Sequence, residues 1–293
     1  MTTSRSGADA LLRELNLFDS DARRPDAPHA LAVALDFEPT YAWPDLAYDT
    51  SSALARYPMP ARGEIGNVVG AVARLASARA PKALAFINAH MKTALVCRSD
   101  AVAGASSASN RELVGSCVLT NMHAPAERVL VCIEALVHES IHQCLYKAER
   151  DHGNFCDLSE ARTYRSFWSG NRIPLHSLIH ACFVWYGLLT LWCQLAGSAN
   201  GGDEAALLRD KASRVIFGFA FARRMFADPA FPLSRVEPEI VAAIDRMARL
   251  MPVLGQPDPE PVTLRESLRR WAGGDWATRL AASLQRVDAI EAS

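Results

Sequence analysis

The sequence predicts an α+β fold that is predominantly helical and carries a small sheet. Apolar residues repeat at helical spacing, without internal glycine or proline, after Pro125 in "APAERVLVCIEALVHESIHQCLYKAER". Two shorter apolar runs, "TALVCRS" at 93–99 and "GSCVLTNM" at 115–122, have the length and flanking residues of strands. We predict a single domain over residues 1–293, because no repeat or long linker divides the chain.

The N-terminal part of this domain, residues 1–92, is expected to be helical and irregular. A short amphipathic helix is predicted at 8–18, and a stretch rich in proline and aspartate at 25–62 is predicted to be irregular. Residues 64–93 are rich in alanine. They are predicted to form a helix that Pro81 breaks into two pieces.

The central part, 93–197, is expected to hold the two strands, the helix after Pro125 and an apolar helix at 175–197. Between the strands, "AGASSASN" is predicted to be a loop of small residues. The C-terminal part, 198–293, is predicted to be helical. Its helices are expected at 204–226, 236–251, 263–272 and 276–290.

Composition excludes several classes of protein. The net charge is −1 with acids and bases well mixed, so nucleic acid is not an expected partner. The seven cysteines form no C-x-x-C pair and lie mostly in apolar runs, which indicates free buried thiols in a reducing cytoplasm. The charged N-terminus is unlike a signal peptide. The longest apolar run, "ACFVWYGLLTLWC", is shorter than the roughly 20 residues of a membrane span and is expected to be a buried core helix.

The helix after Pro125 contains the motif His-Glu-x-x-His in "HESIH". His138 and His142 are one turn apart, so their Cβ atoms are expected about 5–6 Å from each other on one face, where both imidazoles can bind one cation. Glu139 lies beside this face, where it can orient a water molecule or a ligand. A strand pair followed by such a helix is typical of zincin-like sites. The alternative is a pair of histidines on a buried helix that bind no metal.

A third ligand is expected after the motif, and three residues are candidates. Glu160 lies at the distance where gluzincin peptidases place a glutamate ligand. His176 and His180 are again four residues apart, at the start of the apolar helix. His180 is the preferred candidate, because a histidine among aliphatic residues needs a partner. The metzincin continuation is excluded, because Leu145 and Ala148 stand where its glycine and histidine should be.

The chain from roughly residue 115 to residue 195 resembles the HExxH-type peptide β-hydroxylases that accompany ribosomally made, post-translationally modified peptides. The resemblance depends on "LVHESIHQCL" and "YRSFWSGNRIPLHSLIHACFVW". In the second segment the matching positions are Trp168, Pro174, Leu175 and His180. Two positions depart from the family pattern: Ile173 replaces an arginine, with Arg172 one place earlier, and Ala181 replaces a glycine.

This resemblance implies an Fe(II) and 2-oxoglutarate-dependent dioxygenase that acts on a peptide substrate, expected to be a ribosomal precursor peptide. Its metal ligands would be His138, His142 and His180. The cosubstrate would be bound beside Trp168, with its far carboxylate held by one of the two arginines that flank this residue, Arg165 or Arg172, unless both are ordinary surface arginines.

Two alternatives remain from the residues themselves. One is a zinc metallopeptidase in which Glu139 is the general base, since imidazole ligands suit zinc as well as iron. The other is an inactive relative that only binds a peptide.

Overall fold

The computed structural model describes residues 30–38, 56–100, 104–124, 127–166, 168–197 and 202–254. Over these residues the chain is predominantly helical and has a small mixed sheet, so the predicted α+β class is confirmed. The predicted helices at 8–18, 263–272 and 276–290 lie outside the described residues.

Four strands in the described part of the chain form the sheet, in the spatial order β1-β2-β4-β3. They are β1 (Ala34–Asp36), β2 (Thr93–Cys97), β3 (Ser106–Ala108) and β4 (Ser116–Thr120). β1, β2 and β4 run parallel, and β3 runs antiparallel to β4. The inner strands β2 and β4 are buried after their first residue, which is typical of strands covered on both faces.

Both inner strands are confirmed, but the sequence prediction missed the two edge strands. β1 lies in the stretch that was predicted to be irregular, and β3 lies within "AGASSASN", which was predicted to be a loop. The sequence of β3, Ser-Ser-Ala, has little strand propensity of its own. It is extended because its backbone pairs with β4, and such pairing depends on neighbours in space.

Two helices precede β2, namely α1 (Met59–Arg79) and α2 (Pro81–His90). Between them Ala80 leaves the helical conformation, with φ −145° and ψ 56°. Pro81 is in the first turn of α2, where a missing N–H removes no helical hydrogen bond. The predicted break at Pro81 is therefore confirmed.

The motif helix is α3 (Arg128–His152), which packs on α1, α2 and the sheet. Buried Gln143 accepts a hydrogen bond from the Gly115 N–H (2.7 Å) and donates one to the Ser116 carbonyl (3.0 Å). These bonds attach the start of β4 to the helix, next to the second motif histidine. Gly153 follows α3 with φ 102°, a conformation that favours glycine.

A hairpin of β5 (Thr163–Arg165) and β6 (Arg172–Pro174) leads directly into α4 (Leu175–Gly197). The segment Leu175–Ala196 is long and apolar enough to cross a membrane when only length and composition are considered. However, 78% of its apolar window is buried inside the protein. The prediction of a buried core helix is therefore confirmed.

Helices α3 and α4 approach closely at Gly187. A Cβ atom added to Gly187 would lie 2.5 Å from Cδ1 of Ile141, so the glycine makes room for this side chain. Ile141 directly precedes His142. The close approach therefore brings α4 next to the motif histidines.

The chain continues with α5 (Gly202–Ala227) and α6 (Pro238–Leu254), which confirm the helices predicted at 204–226 and 236–251. Helix α5 packs extensively on α4. The seven cysteines are free thiols; all are buried except the half-buried Cys193. They contribute apolar volume to the core.

Candidate metal centre

Three side chains that can bind a metal ion share one face of α3. His138, His142 and Glu149 are four and then seven residues apart, so at about 100° per residue their directions differ by no more than roughly 40°. The rings of His138 and His142 have centroids 5.0 Å apart. The motif pair therefore projects from one face, as its spacing predicts.

Helix α4 places His180 against this face. Its Nδ1 is 3.4 Å from Nδ1 of His142, and the residue is 1% exposed. Two imidazole nitrogens that bind one tetrahedral cation at about 2.1 Å lie roughly 3.4 Å from each other. His142 and His180 thus have the separation that a shared metal ion requires.

The other ring nitrogen of His180 faces Glu149. His180 Nε2 lies 3.3 Å from Glu149 Oε2 without the geometry of a hydrogen bond, so this buried nitrogen has no hydrogen-bond partner. On the preceding turn of α4, His176 Nε2 lies 2.9 Å from both Glu149 oxygens. The ligand atoms of Glu149, His176 and His180 all lie within 4.8 Å of one another, and this group could hold a metal ion.

The protonation of the histidines suits a cation. Burial lowers the pKa of His142 well below its ordinary value, and the neighbouring histidines lower it further. Burial also lowers the pKa of His180 to about 4, although Glu149 opposes this effect. Both imidazoles are therefore neutral at pH 7, which is the form that binds metals.

Glu149 supplies negative charge at the same place. Burial by itself would raise the pKa of its carboxyl group, but the contacts with His176 and His180 hold this pKa far below its ordinary value. The carboxylate is therefore ionised at neutral pH. A buried negative charge next to neutral imidazoles favours a cation at this site.

Aromatic rings cover one side of the histidines. The Tyr146 ring centroid lies 5.9 Å from that of His142 and 5.1 Å from that of His180, and the Phe155 ring lies 5.8 Å from His180. The side chain of His138, by contrast, is 32% exposed. The site is therefore closed at His180 and open to solvent at His138.

Glu139 is 1% exposed and its carboxylate contacts β3. Its Oε1 accepts a hydrogen bond from Ser107 Oγ at 2.6 Å and lies 3.9 Å from His138 Nε2. Its Oε2 is buried without a hydrogen-bond partner. One oxygen of this carboxylate is thus held by the sheet, and the other is free to accept a proton or a hydrogen bond.

Glu160, the other candidate for third ligand, is bound elsewhere. Its carboxylate pairs with Arg162 (Nε–Oε1 2.9 Å) and with Arg235 (Nε–Oε2 3.3 Å). The hydrogen bond from Arg162 lowers the pKa of Glu160 to about 2. The structure brings His176 and His180, but not Glu160, to the motif helix.

The two arginines predicted to hold the cosubstrate lie on the hairpin. Arg165 and Arg172 are directly opposite each other in the β5–β6 register, and both are exposed. The Arg172 guanidinium donates to Thr163 Oγ1 (3.1 Å) and to the Thr163 carbonyl (3.0 Å). Arg172 thus supports the hairpin, and a role of either arginine in cosubstrate binding stays a prediction.

Trp168 is half-buried and packs against the core. Its indole N–H donates to the Val215 carbonyl at 3.2 Å, and its ring contacts Trp185 and Phe219. A Cβ atom on Gly218 would overlap this ring at Nε1. Trp168 therefore joins the hairpin loop to α4 and α5, and its predicted contact with a cosubstrate stays a prediction.

Sequence reasoning missed Glu149, and it preferred His180 to His176 as the third ligand. A signal for Glu149 was present, since it lies eleven residues after His138, almost exactly three helical turns, and so returns to the same face. The involvement of His176 required the packing of α4 on α3. Its distance from Glu149 in sequence carries no information about this contact.

Comparison with known proteins identifies no family for this chain. No protein-family model matches the chain, and no curated protein matches it. What the site can bind therefore depends on its own donor atoms, which are imidazole nitrogens and one carboxylate. These donor atoms suit Fe(II) and Zn(II) alike, and the buried His180 nitrogen without a hydrogen-bond partner is Nε2, which faces Glu149.

Proposed function

We propose that this protein is an Fe(II) and 2-oxoglutarate-dependent dioxygenase that hydroxylates a peptide, with its metal held by His138, His142 and His180. The observation that carries this proposal is the 3.4 Å separation between Nδ1 of His142 and Nδ1 of His180. The resemblance to the HExxH-type peptide β-hydroxylases implies that α4, the helix of His180, supplies the third metal ligand. A gluzincin-type site would instead use Glu160, whose carboxylate binds two arginines.

Glu149 would act on the metal through His180. In this proposal Nδ1 of His180 faces the metal and Nε2 faces the Glu149 carboxylate. A carboxylate in that position fixes the orientation of the ring and increases its basicity. His176 contacts the same carboxylate from the next turn of α4 and keeps it in place.

Bound iron would supply a coupled oxidation in which O₂ takes two electrons from 2-oxoglutarate, which becomes succinate and CO₂, and two from a peptide C–H bond, which becomes C–OH. The protein would supply three side chains as metal ligands and leave space at the metal for the reactants. The exposed side of His138 gives a peptide access. Tyr146 and Phe155 exclude water at His180, where a low dielectric strengthens the electrostatic contacts.

A zinc metallopeptidase is the second candidate, and one observation favours it. Glu139 Oε2 is buried without a hydrogen-bond partner and could take a proton from an attacking water molecule. In the oxygenase no carboxylate base is needed, and Glu139 would only orient neighbouring groups. The two functions therefore differ in what they require of this one side chain.

The proposed substrate is a ribosomally made precursor peptide in the cytoplasm. The free thiols support a reducing compartment, since cysteines of oxidising compartments commonly form disulfides. A short open reading frame beside the gene would identify the peptide. Such a peptide is the natural substrate for the assay below.

The deciding experiment reconstitutes the purified full chain with Fe(II) under nitrogen and then adds O₂, 2-oxoglutarate and the precursor peptide. We expect succinate to form with the peptide and the peptide mass to increase by one oxygen atom. A second sample receives Zn(II) and no 2-oxoglutarate. Cleavage of the peptide in that sample would establish the peptidase, and an unchanged peptide in both samples would favour a protein that only binds it.

A further inference from the structure

Tyr146 lies on the motif face of α3, one turn after His142. Four residues at about 100° each turn through roughly 40° more than a full circle, so the two side chains point in similar directions. Their rings are nearly parallel, with an interplanar angle of 19° and centroids 5.9 Å apart. The same ring meets His180, on α4, at a centroid distance of 5.1 Å. Tyr146 thus contacts both histidines whose Nδ1 atoms have the separation that a shared metal ion requires.

The hydroxyl group of Tyr146 has no hydrogen-bond partner among the described residues, and the residue is half-buried. Tyrosine hydroxyls inside a protein usually find a partner, as that of Tyr57 does with His123 Nδ1 at 2.7 Å. Packing on the histidines needs only the ring, and Phe155 covers His180 without a hydroxyl. The Tyr146 hydroxyl is therefore available to a ligand of the site.

The direction of the side chain brings this hydroxyl toward the open part of the site. Side chains of an α-helix lean toward its N-terminus, so the ring of Tyr146 extends back over the turn that carries His142. The hydroxyl is at the far end of that ring. The next motif histidine in this direction is His138, whose side chain is 32% exposed. We therefore expect the hydroxyl at the border between the covered and the open side of the histidines.

We propose that the Tyr146 hydroxyl donates a hydrogen bond to the carboxylate beside the keto group of 2-oxoglutarate, an inference that rests on the proposed function and adds a binding group to that site. A phenol can donate one hydrogen bond, and a charged acceptor makes such a bond shorter and stronger. Because the ring already packs on His142 and His180, the donor is in place before the cosubstrate binds. Binding then loses little side-chain entropy.

The test removes only the hydroxyl, since Tyr146→Phe keeps the ring and its packing on both histidines. Calorimetry on the metal-reconstituted full chain under nitrogen measures the binding of 2-oxoglutarate and of 2-oxopentanoate, in which a methyl group replaces the far carboxylate. The variant should bind both ligands more weakly by the same factor, about tenfold or more, the size expected for a hydrogen bond to a charged group. Its affinity for the metal, measured by competition with a chromophoric chelator, should equal that of the wild type.

Tyr164→Phe is the matched control. It removes a hydroxyl that is buried without a hydrogen-bond partner among the described residues, on β5, where the ring packs on Phe231. This variant should bind the metal and both 2-oxo acids like the wild type.

Three results with Tyr146→Phe would refute the proposed bond. Unchanged binding of both ligands would show that the ring only packs on the histidines, and a loss confined to 2-oxoglutarate would place the hydroxyl at the far carboxylate. A loss of metal would show that the hydroxyl supports the metal ligands instead. In each case 2-oxoglutarate binding by the wild type still supports the oxygenase. A wild type that binds neither ligand would contradict both this inference and the proposed function.

Discussion

Both carboxylate oxygens of Glu149, on α3, lie 2.9 Å from Nε2 of His176, on α4. This contact joins the two helices next to the motif histidines. The same carboxylate faces His180 Nε2 at 3.3 Å. His180 therefore lies between two possible positions for a metal ion. One position is at Nδ1, which faces His142, and the other is at Nε2, on the side of Glu149 and His176.

Glu149→Gln distinguishes these positions. If the metal lies at Nδ1 of His180, Glu149 acts only through that ring, and its loss should weaken metal affinity by about 10–100-fold without abolishing it. A competition titration with a chromophoric zinc chelator measures this change. Asp151→Asn, an exposed carboxylate on the same helix, is the control and should bind metal normally. Complete loss of metal in Glu149→Gln and in His176→Ala would favour the site at Nε2.

His138→Ala and His142→Ala should each abolish bound metal while α3 stays folded. Both changes remove a direct ligand, and alanine is the best helix former, so helix stability is kept. Metal content by mass spectrometry and helicity by circular dichroism are the two measurements. His152→Ala, at the exposed end of the same helix, should keep full occupancy. Full occupancy in both motif variants would rule out the motif as a metal site.

Glu139→Gln should keep measurable 2-oxoglutarate-dependent activity, lower by about 10–100-fold, because no carboxylate base takes part in the proposed oxidation. Glutamine can still accept the hydrogen bond from Ser107 Oγ, so the link to β3 is retained. Turnover of 2-oxoglutarate with peptide measures the effect. Ser107→Ala, which breaks this link but leaves the carboxylate, should cost less than Glu139→Ala.

A general base of a zinc peptidase behaves differently. Its removal costs at least about 10²–10⁴-fold, and the loss in such a site approaches the whole reaction. Undetectable activity in Glu139→Gln, together with peptide cleavage by the zinc-loaded wild type, would decide for the peptidase.

Gly218→Ala should destabilise the protein by about 1–3 kcal/mol, the usual cost of overpacking. The new methyl group would overlap the Trp168 indole, which is held by its bond to Val215 and its packing on Phe219. Urea unfolding gives the free energy of unfolding. Gly66→Ala is the matched control, because this helical glycine has open space around its Cβ position and the substitution should stabilise by about 0.5–1 kcal/mol. Equal stability of wild type and Gly218→Ala would show that Trp168 is not fixed there.

Helix and inner-strand positions could be predicted because they depend on local pattern. The apolar spacing of α3, the break at Pro81 and the apolar run of α4 each follow from neighbouring residues along the chain. The same is true of the face shared by His138 and His142, which the geometry of one helix determines. Edge strand β3 could not be predicted, because its backbone is extended by pairing with β4 rather than by its small residues.

The sequence by itself determined the helical α+β class, the motif pair and a list of possible third ligands. Only the tertiary structure showed which of these candidates lie near the motif histidines, because the position of a side chain on another helix depends on how the two helices pack. The contact of Gly187 with Ile141 brings α4 to α3 and places His180 beside His142, while Arg162 and Arg235 hold Glu160 apart. The same packing placed His176 on Glu149 and Trp168 on Gly218. None of these distances in space follows from distance along the chain.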